Sequence, residues 1–146
     1  MATGAKNSLG TVFSVETATA NTFIAIEEIT DIPGILGDKA GKIDVTNMDS
    51  SGYKEYISDL KDAPEVTIKA NWTGATGQAR VQALSDGTNT KFKLVLPDKK
   101  TVGGTGTTVA RNGYISSFSI EPGVGKQLML TFTVQFSGAP TITAAA

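Results

Sequence analysis

The sequence predicts a mainly β fold: an antiparallel β-sandwich or barrel with one short α-helix, a long inter-strand loop and a flexible N-terminal arm. Three observations carry this reading. Several segments alternate apolar and polar residues with period two, which puts their side chains on opposite faces of a strand. Gly-, Asn-, Asp- and Pro-containing turns fall between them. One stretch alone has the composition of a helix with a stop after it.

In chain order, residues 1–20 are small and polar and read as an arm. Residues 22–30 open with Phe23, Ile24, Ala25 and Ile26, apolar on both faces, and read as one doubly covered strand. Residues 31–63 hold half of the acidic side chains and few core positions, and read as a long loop. At 65–72, Val66, Ile68, Ala70 and Trp72 alternate with Glu65, Thr67, Lys69 and Asn71. Residues 76–85 suit a helix capped by Thr76 and stopped by Gly87, although a strand at 79–84 also fits. Phe92, Leu94 and Leu96 alternate with Lys91, Lys93 and Val95. Arg111-Asn112-Gly113 reads as a bend into a strand at 114–120, with Tyr114, Ser116, Phe118 and Ile120 on one side and Ile115, Ser117 and Ser119 on the other. Glu121-Pro122-Gly123-Val124-Gly125 reads as the hairpin turn into a last strand, where Leu128, Leu130, Phe132, Val134 and Phe136 share a face. After Pro140 the tail 138–146 shows no partner pattern.

A chain of 146 residues is one domain by its length, 1–146, and buries about 70% of its unfolded surface without staples. It has no Cys and no His, which excludes disulfides and thiolate metal sites and removes the commonest general base. With no convergent carboxylate pair either, no reaction class can be named; neither an enzyme nor a cofactor is expected. The net charge of −1 gives no global drive toward nucleic acid or membrane. Residues 1–73 carry 6 Lys/Arg against 11 Asp/Glu, and residues 74–146 carry 7 against 3. These halves complement each other either within one fold or between stacked copies. No apolar run reaches membrane-span length, and the first residues lack the apolar core of a secretory signal, so a cytoplasmic protein is expected.

Gly103-Gly104-Thr105-Gly106 lacks the Gly-Lys-Ser/Thr ending of a phosphate loop and reads as a flexible hairpin tip. Asp44, Asn47, Asp49 and Gly52 have the wrong spacing for a calcium loop; such residues more often bond the local backbone. Trp72 and Tyr114 suggest a sugar-stacking platform, but Trp72 shares a face with Val66 and Ile68, which favours the core. Lys91, Lys93, Lys99, Lys100 and Arg111 form a basic hairpin that suits phosphates, a solvated face or an acidic partner.

The segment Asp44-Val45-Thr46-Asn47-Met48-Asp49-Ser50, followed by Gly52-Tyr53-Lys54-Glu55-Tyr56-Ile57 and a Leu60-Lys61-Asp62 turn, resembles the major tail tube proteins of long-tailed, non-contractile bacteriophages. The order of pieces over residues 20–137 carries the likeness: an Ile/Glu-rich strand ending at Pro33-Gly34, this motif, a strand ending in Trp72, a short helix, Phe92…Leu96-Pro97-Asp98, a long hairpin, then Phe132-Thr133-Val134 and Gly138. Asp59 and Pro64 stand where the family tends to have glycine.

The resemblance implies a structural virion protein made in the host cytoplasm and placed in the virion tail. Copies would close into hexameric rings that stack into a tube, assembled around a tape-measure protein and joined by terminator and tail-tip proteins. Double-stranded DNA would pass through without specific binding, and no membrane is involved. Residues 1–20 and 35–57 would make inter-ring contacts, with Asp38, Asp44, Thr46, Asp49, Ser50, Tyr53, Lys54, Glu55 and Tyr56 as the contact residues. The alternatives are a standalone β-sandwich binding or adhesin-like module, and the inner tube of a contractile tail or secretion system.

Overall fold

The computed structural model describes residues 8–146. Among these residues nine strands and one helix run in the order β1 (Val12–Glu16), β2 (Phe23–Ala25), β3 (Ile29–Asp31), β4 (Lys39–Asp44), β5 (Tyr56–Asp62), β6 (Glu65–Asn71), α1 (Thr76–Ala83), β7 (Thr90–Val95), β8 (Thr108–Glu121) and β9 (Met129–Thr143). Seven strands form one antiparallel sheet in the order β2-β1-β7-β8-β9-β6-β3, and β4 and β5 form a separate hairpin. The mainly β, antiparallel fold class is as the alternation predicts.

The segment 22–30 is not one strand. β2 and β3 are the two outer edges of the seven-stranded sheet, yet only Ile26, Glu27 and Glu28 separate them. Three residues span at most about 10 Å, so the sheet must roll until its edges nearly meet. Hydrogen bonding passes across the corner: Ile26 N–H donates to Phe13 O at 2.9 Å, and Asn71 N–H donates to Glu28 O at 2.9 Å. Glu28 turns the chain with a positive φ of 60°. The inward faces then bury one core. Phe13 stacks on Phe92 at 5.7 Å, Phe92 meets Phe136 edge-on at 6.0 Å, and Ile68, Leu130, Phe132 and Val134 fill the rest.

Helix α1 seals the corner. Its N-cap is Ala75, without a side-chain cap, so Thr76 does not serve that role. The Glu27 carboxylate comes from the corner instead and accepts the Gly77 N–H at 3.2 Å, next to the positive end of the helix. Gln78 is fully buried and uses both ends of its amide. Its Oε1 accepts from Thr73 N–H at 2.8 Å and Gly74 N–H at 3.2 Å; its Nε2 donates to Glu27 O at 2.9 Å and Asn71 O at 2.7 Å. Gly77 lies so close to the corner that a methyl there would collide with the Ala25 carbonyl.

Other expectations need correction. Residues 12–16 of the expected arm are β1, with Phe13, Ser14 and Val15 buried in the sheet; residues 1–7 lie outside the described residues. Residues 31–63 are not a structureless loop, because β4 and β5 pair within it, and Leu60-Lys61-Asp62 belongs to β5 rather than to a turn. Arg111, Asn112 and Gly113 lie inside β8 and not at a bend; Gly113 is there because a Cβ would press on Gln135 O, 2.7 Å away. The tail is strand as far as Thr143, pairing with Thr108, Val109 and Ala110. Ala146 N–H donates to Thr105 O at 2.9 Å, and Ala146 O accepts from Lys100 N–H at 3.0 Å, so the Gly103–Gly106 stretch is packed rather than a free tip.

The 114–120 strand contains a β-bulge, which explains its mixed pattern. Ile115 pairs with Val134, but Ser117, not Ser116, pairs with Thr133. The extra residue lets Ile115 and Phe118 both point inward, although strict alternation puts them on opposite sides. Phe118 then meets Trp72 edge-on at 6.2 Å, which places Trp72 against the core rather than in a platform with the outward Tyr114.

Two measurements check these assignments. Gln78→Leu leaves two carbonyls and two amides at the corner without partners and is expected to cost at least about 3 kcal/mol, read by urea unfolding followed at Trp72. Deleting Ser116 restores a regular ladder and is expected to leave the barrel folded. Deleting Ser119 turns Ile120 out of the core and is expected to cost about 2 kcal/mol; equal losses from the two deletions would contradict the bulge.

Candidate assembly interface

The β4–β5 hairpin is the element without a place in the core. Every residue of both strands is exposed, and neither strand packs extensively on another strand or on the helix. Its inter-strand pairs are Lys39 with Asp62, Ala40 with Lys61, Lys42 with Ser58, Ile43 with Ile57 and Asp44 with Tyr56. Ile43 and Ile57 oppose each other directly, so one face carries a β-branched pair in water; Val45 is exposed beside it. The other face carries Tyr56, with Lys42 Nζ 4.3 Å above its ring. Met48 at the tip is 100% exposed and Tyr53 is 83% exposed. A two-stranded hairpin is marginal in water without a surface to pack on. Apolar side chains grouped on one are the mark of an interaction surface.

The tip is built by its own polar residues. Thr46 N–H donates to Asp44 Oδ1 at 2.9 Å, and the Thr46 hydroxyl accepts Glu55 N–H at 2.8 Å. Asp49 N–H donates to Asn47 Oδ1 at 2.8 Å, and Asn47 N–H donates to Ser50 Oγ at 3.1 Å. The Thr46 hydroxyl and then the Thr46 amide hold the Asp44 carboxyl below its ordinary pKa. The Asp44-Val45-Thr46-Asn47-Met48-Asp49-Ser50 run is thus a turn-forming device, with the side chains of Asp44, Thr46, Asn47 and Ser50 bonded to the local backbone. Lys54 and Glu55 are exposed on the same tip.

Asp38 and Arg111, expected in two different surfaces, meet. Arg111 is 2% exposed and meets Asp38 at the base of the hairpin. Its Nη1 donates to Asp38 Oδ1 at 2.6 Å and Ile35 O at 3.0 Å. Its Nη2 donates to Asp38 Oδ2 at 2.8 Å and Gly138 O at 2.9 Å, and its Nε donates to Gly138 O at 3.2 Å. All five N–H groups of the guanidinium have an acceptor. The hydrogen bonds from Arg111 hold the Asp38 carboxyl below its ordinary pKa.

The remaining basic residues do not form one patch. Lys91 and Lys93 are half-buried on the outer face of β7, with Lys93 Nζ 5.2 Å from the Phe23 ring centre. Lys99 and Lys100 are exposed in the β7–β8 connection. At Arg111 and Asp38 the acidic and basic halves of the chain complement each other within the fold.

A second feature was not visible in the sequence. β7 pairs with β8 only through Thr108 to Gly113, so from Tyr114 to Glu121 one side of β8 has no neighbouring strand among the described residues. β6 likewise stops at Gln135, and β9 continues to Thr143 with β8 alone. The long hairpin therefore offers two open backbone edges, on opposite sides and at opposite ends. Ser116, Ser117 and Ser119 lie along the longer one and give no pattern by which to find it.

No protein-family model and no curated protein matches this chain. Solved structures do. The tail of an empty gene transfer agent particle, refined with C6 symmetry, superimposes with a TM-score of 0.76 at 18% identity, covering 96% of this chain and all of that one. The SPP1 tail tube superimposes with a TM-score of 0.64 at 14% identity, covering 92% of this chain and 75% of that one. The sheath–tube complex of an extracellular contractile injection system gives 0.64 at 13% identity, covering 92% and 88%. The chain thus has the fold found in tail tubes and in contractile injection systems.

Proposed function

We propose that this protein is the tail tube subunit of a siphovirus-type particle, a structural protein that acts by assembling with itself. Copies join into hexameric rings, and the rings stack into the conduit through which DNA leaves. The observation that carries the reading is the β4–β5 arm, which exposes Ile43, Val45 and Ile57 on one face and has no partner element among the described residues. Such an arm is completed by a neighbouring copy, with Asp44, Thr46, Asp49, Ser50, Tyr53, Lys54, Glu55 and Tyr56 at its contacting end. The shared fold supports this reading.

The open edges fit the same assembly. Along the eight residues from Tyr114 to Glu121, about every second residue of β8 offers its backbone groups to the open edge, where a strand of another copy satisfies them, and closing a ring removes the edges that otherwise invite uncontrolled pairing. Lys99 and Lys100 stand in a connection available to acidic residues of a second copy. A tape-measure protein inside, and terminator and tail-tip proteins at the ends, complete the partners of this reading; the tail is its place in the virion. The shared fold with a contractile injection system favours a second reading, the inner tube of a contractile machine. A binding module has less support, because the arm's exposed groups line two strands rather than a concave site.

Negative-stain electron microscopy of the concentrated protein tests the proposal. Hollow tubes or six-fold rings are the expected result, and persistent monomers with intact arms count against it. Ile43→Asp combined with Ile57→Asp is expected to raise the concentration needed for polymerisation at least about tenfold, equivalent to about 1.4 kcal/mol per contact, while Trp72 fluorescence stays that of the folded barrel.

A further inference from the structure

The arm leaves the barrel through two short connections, and what holds them decides where it points. On the β5 side, Pro64 O accepts Phe136 N–H at 3.2 Å, and Ala63 O accepts from Gln135 Nε2 at 3.3 Å. On the β4 side, Ile35 is buried and Arg111 binds Ile35 O and both carboxylate oxygens of Asp38. Arg111 comes from β8 and also holds Gly138 of β9, at the place where β9 bulges between Ser137 and Thr141. One guanidinium thus joins the barrel wall to the root of the arm. Among these hydrogen bonds, only the one to Asp38 uses a side chain of the arm's own root.

We propose that Arg111 is the positioning residue of the arm: its two-pronged bond to Asp38 fixes the direction in which β4–β5 leaves the barrel, and loss of the Asp38 charge frees that direction without unfolding the barrel. Its bearing on assembly rests on the tube reading above; its bearing on the arm does not. A planar fork bonded through both oxygens sets an angle as well as a distance, which a lysine ammonium does not. The charged groups around Asp38 are Arg111 from β8, Lys61 and Asp62 from β5, and no ionisable side chain from the adjoining part of β9. Lys61 also favours the charged form of Asp38. An arm that wanders among directions is competent to join a neighbour for only part of the time, and apparent affinity falls by that fraction.

The chain has no native cysteine, so paired spin labels report distances without background. Ser51→Cys on the arm and Ser119→Cys on the barrel give the arm–barrel distance. Asn89→Cys with Ser119→Cys gives a barrel control. In dilute protein at neutral pH the arm–barrel distribution is expected to be narrow. Asp38→Asn is expected to broaden it while the control pair stays narrow, and Arg111→Lys is expected to do the same if the barrel tolerates it. Because the folded Asp38 pKa lies below its ordinary value of 3.8, the bond is present above that range and lost as pH falls through the lowered value. The native distribution therefore broadens only in strong acid, and the Asn variant shows no such transition.

If Asp38→Asn positions its arm about one-tenth of the time, polymerisation needs about tenfold more protein. A narrow distribution in Asp38→Asn overturns the proposal. A broad distribution in the native protein overturns it as well. Broadening in Asp38→Asn alone, with native protein that never forms tubes or rings, upholds the positioning role and removes the tube reading.

Discussion

The structure depends on a corner of three residues. Ile26, Glu27 and Glu28 join the two outermost strands of a seven-stranded sheet, and that short link forces the sheet to roll. Rolling brings the inward faces together and makes the core. It also leaves a tight turn packed against helix α1. Gln78 bonds the Glu27 carbonyl there with its buried amide, and Gly77 lets the helix approach closely enough to do so. A helix with a thin apolar face is therefore held by polar contacts to the corner, with Val81 and Leu84 completing the core beneath.

The parts of the fold legible in the sequence are those where burial is regular. The alternation at Val66, Ile68 and Ala70 and at Leu130, Phe132, Val134 and Phe136 maps directly onto buried faces. Leu128 lies beyond the buried run and is partly exposed. Illegible parts have particular causes. Phe23 to Thr30 looks like one apolar strand because both edges of a sheet happen to be consecutive. The arm offers no core pattern because it has no core of its own; its strand signal is only the brief Lys42-Ile43-Asp44 and Tyr56-Ile57-Ser58 alternation. Arg111 reads as one more basic residue, since nothing local says that its partner is Asp38, 73 positions away.

Of the site, the polar tip residues were legible as a group and in their local role. The apolar pair Ile43 and Ile57 was not, because an isoleucine facing water is indistinguishable in sequence from one facing a core. The open edge of β8 leaves no mark on side chains at all, because it is a property of which strands stop where.

The bulge at Ser116 and Ser117 has a bearing on fidelity. Along a plain strand the backbone repeats every two residues, so a partner can slide by one repeat and find the same hydrogen bonds. Serine side chains add little to tell one position from another. Two residues that occupy the space of one interrupt that repeat partway along the open edge. If a strand of another copy adds there, as the tube reading requires, the irregularity would work as a keyway: a strand cut to match it would seat in one alignment, and a strand displaced by a repeat would meet a gap.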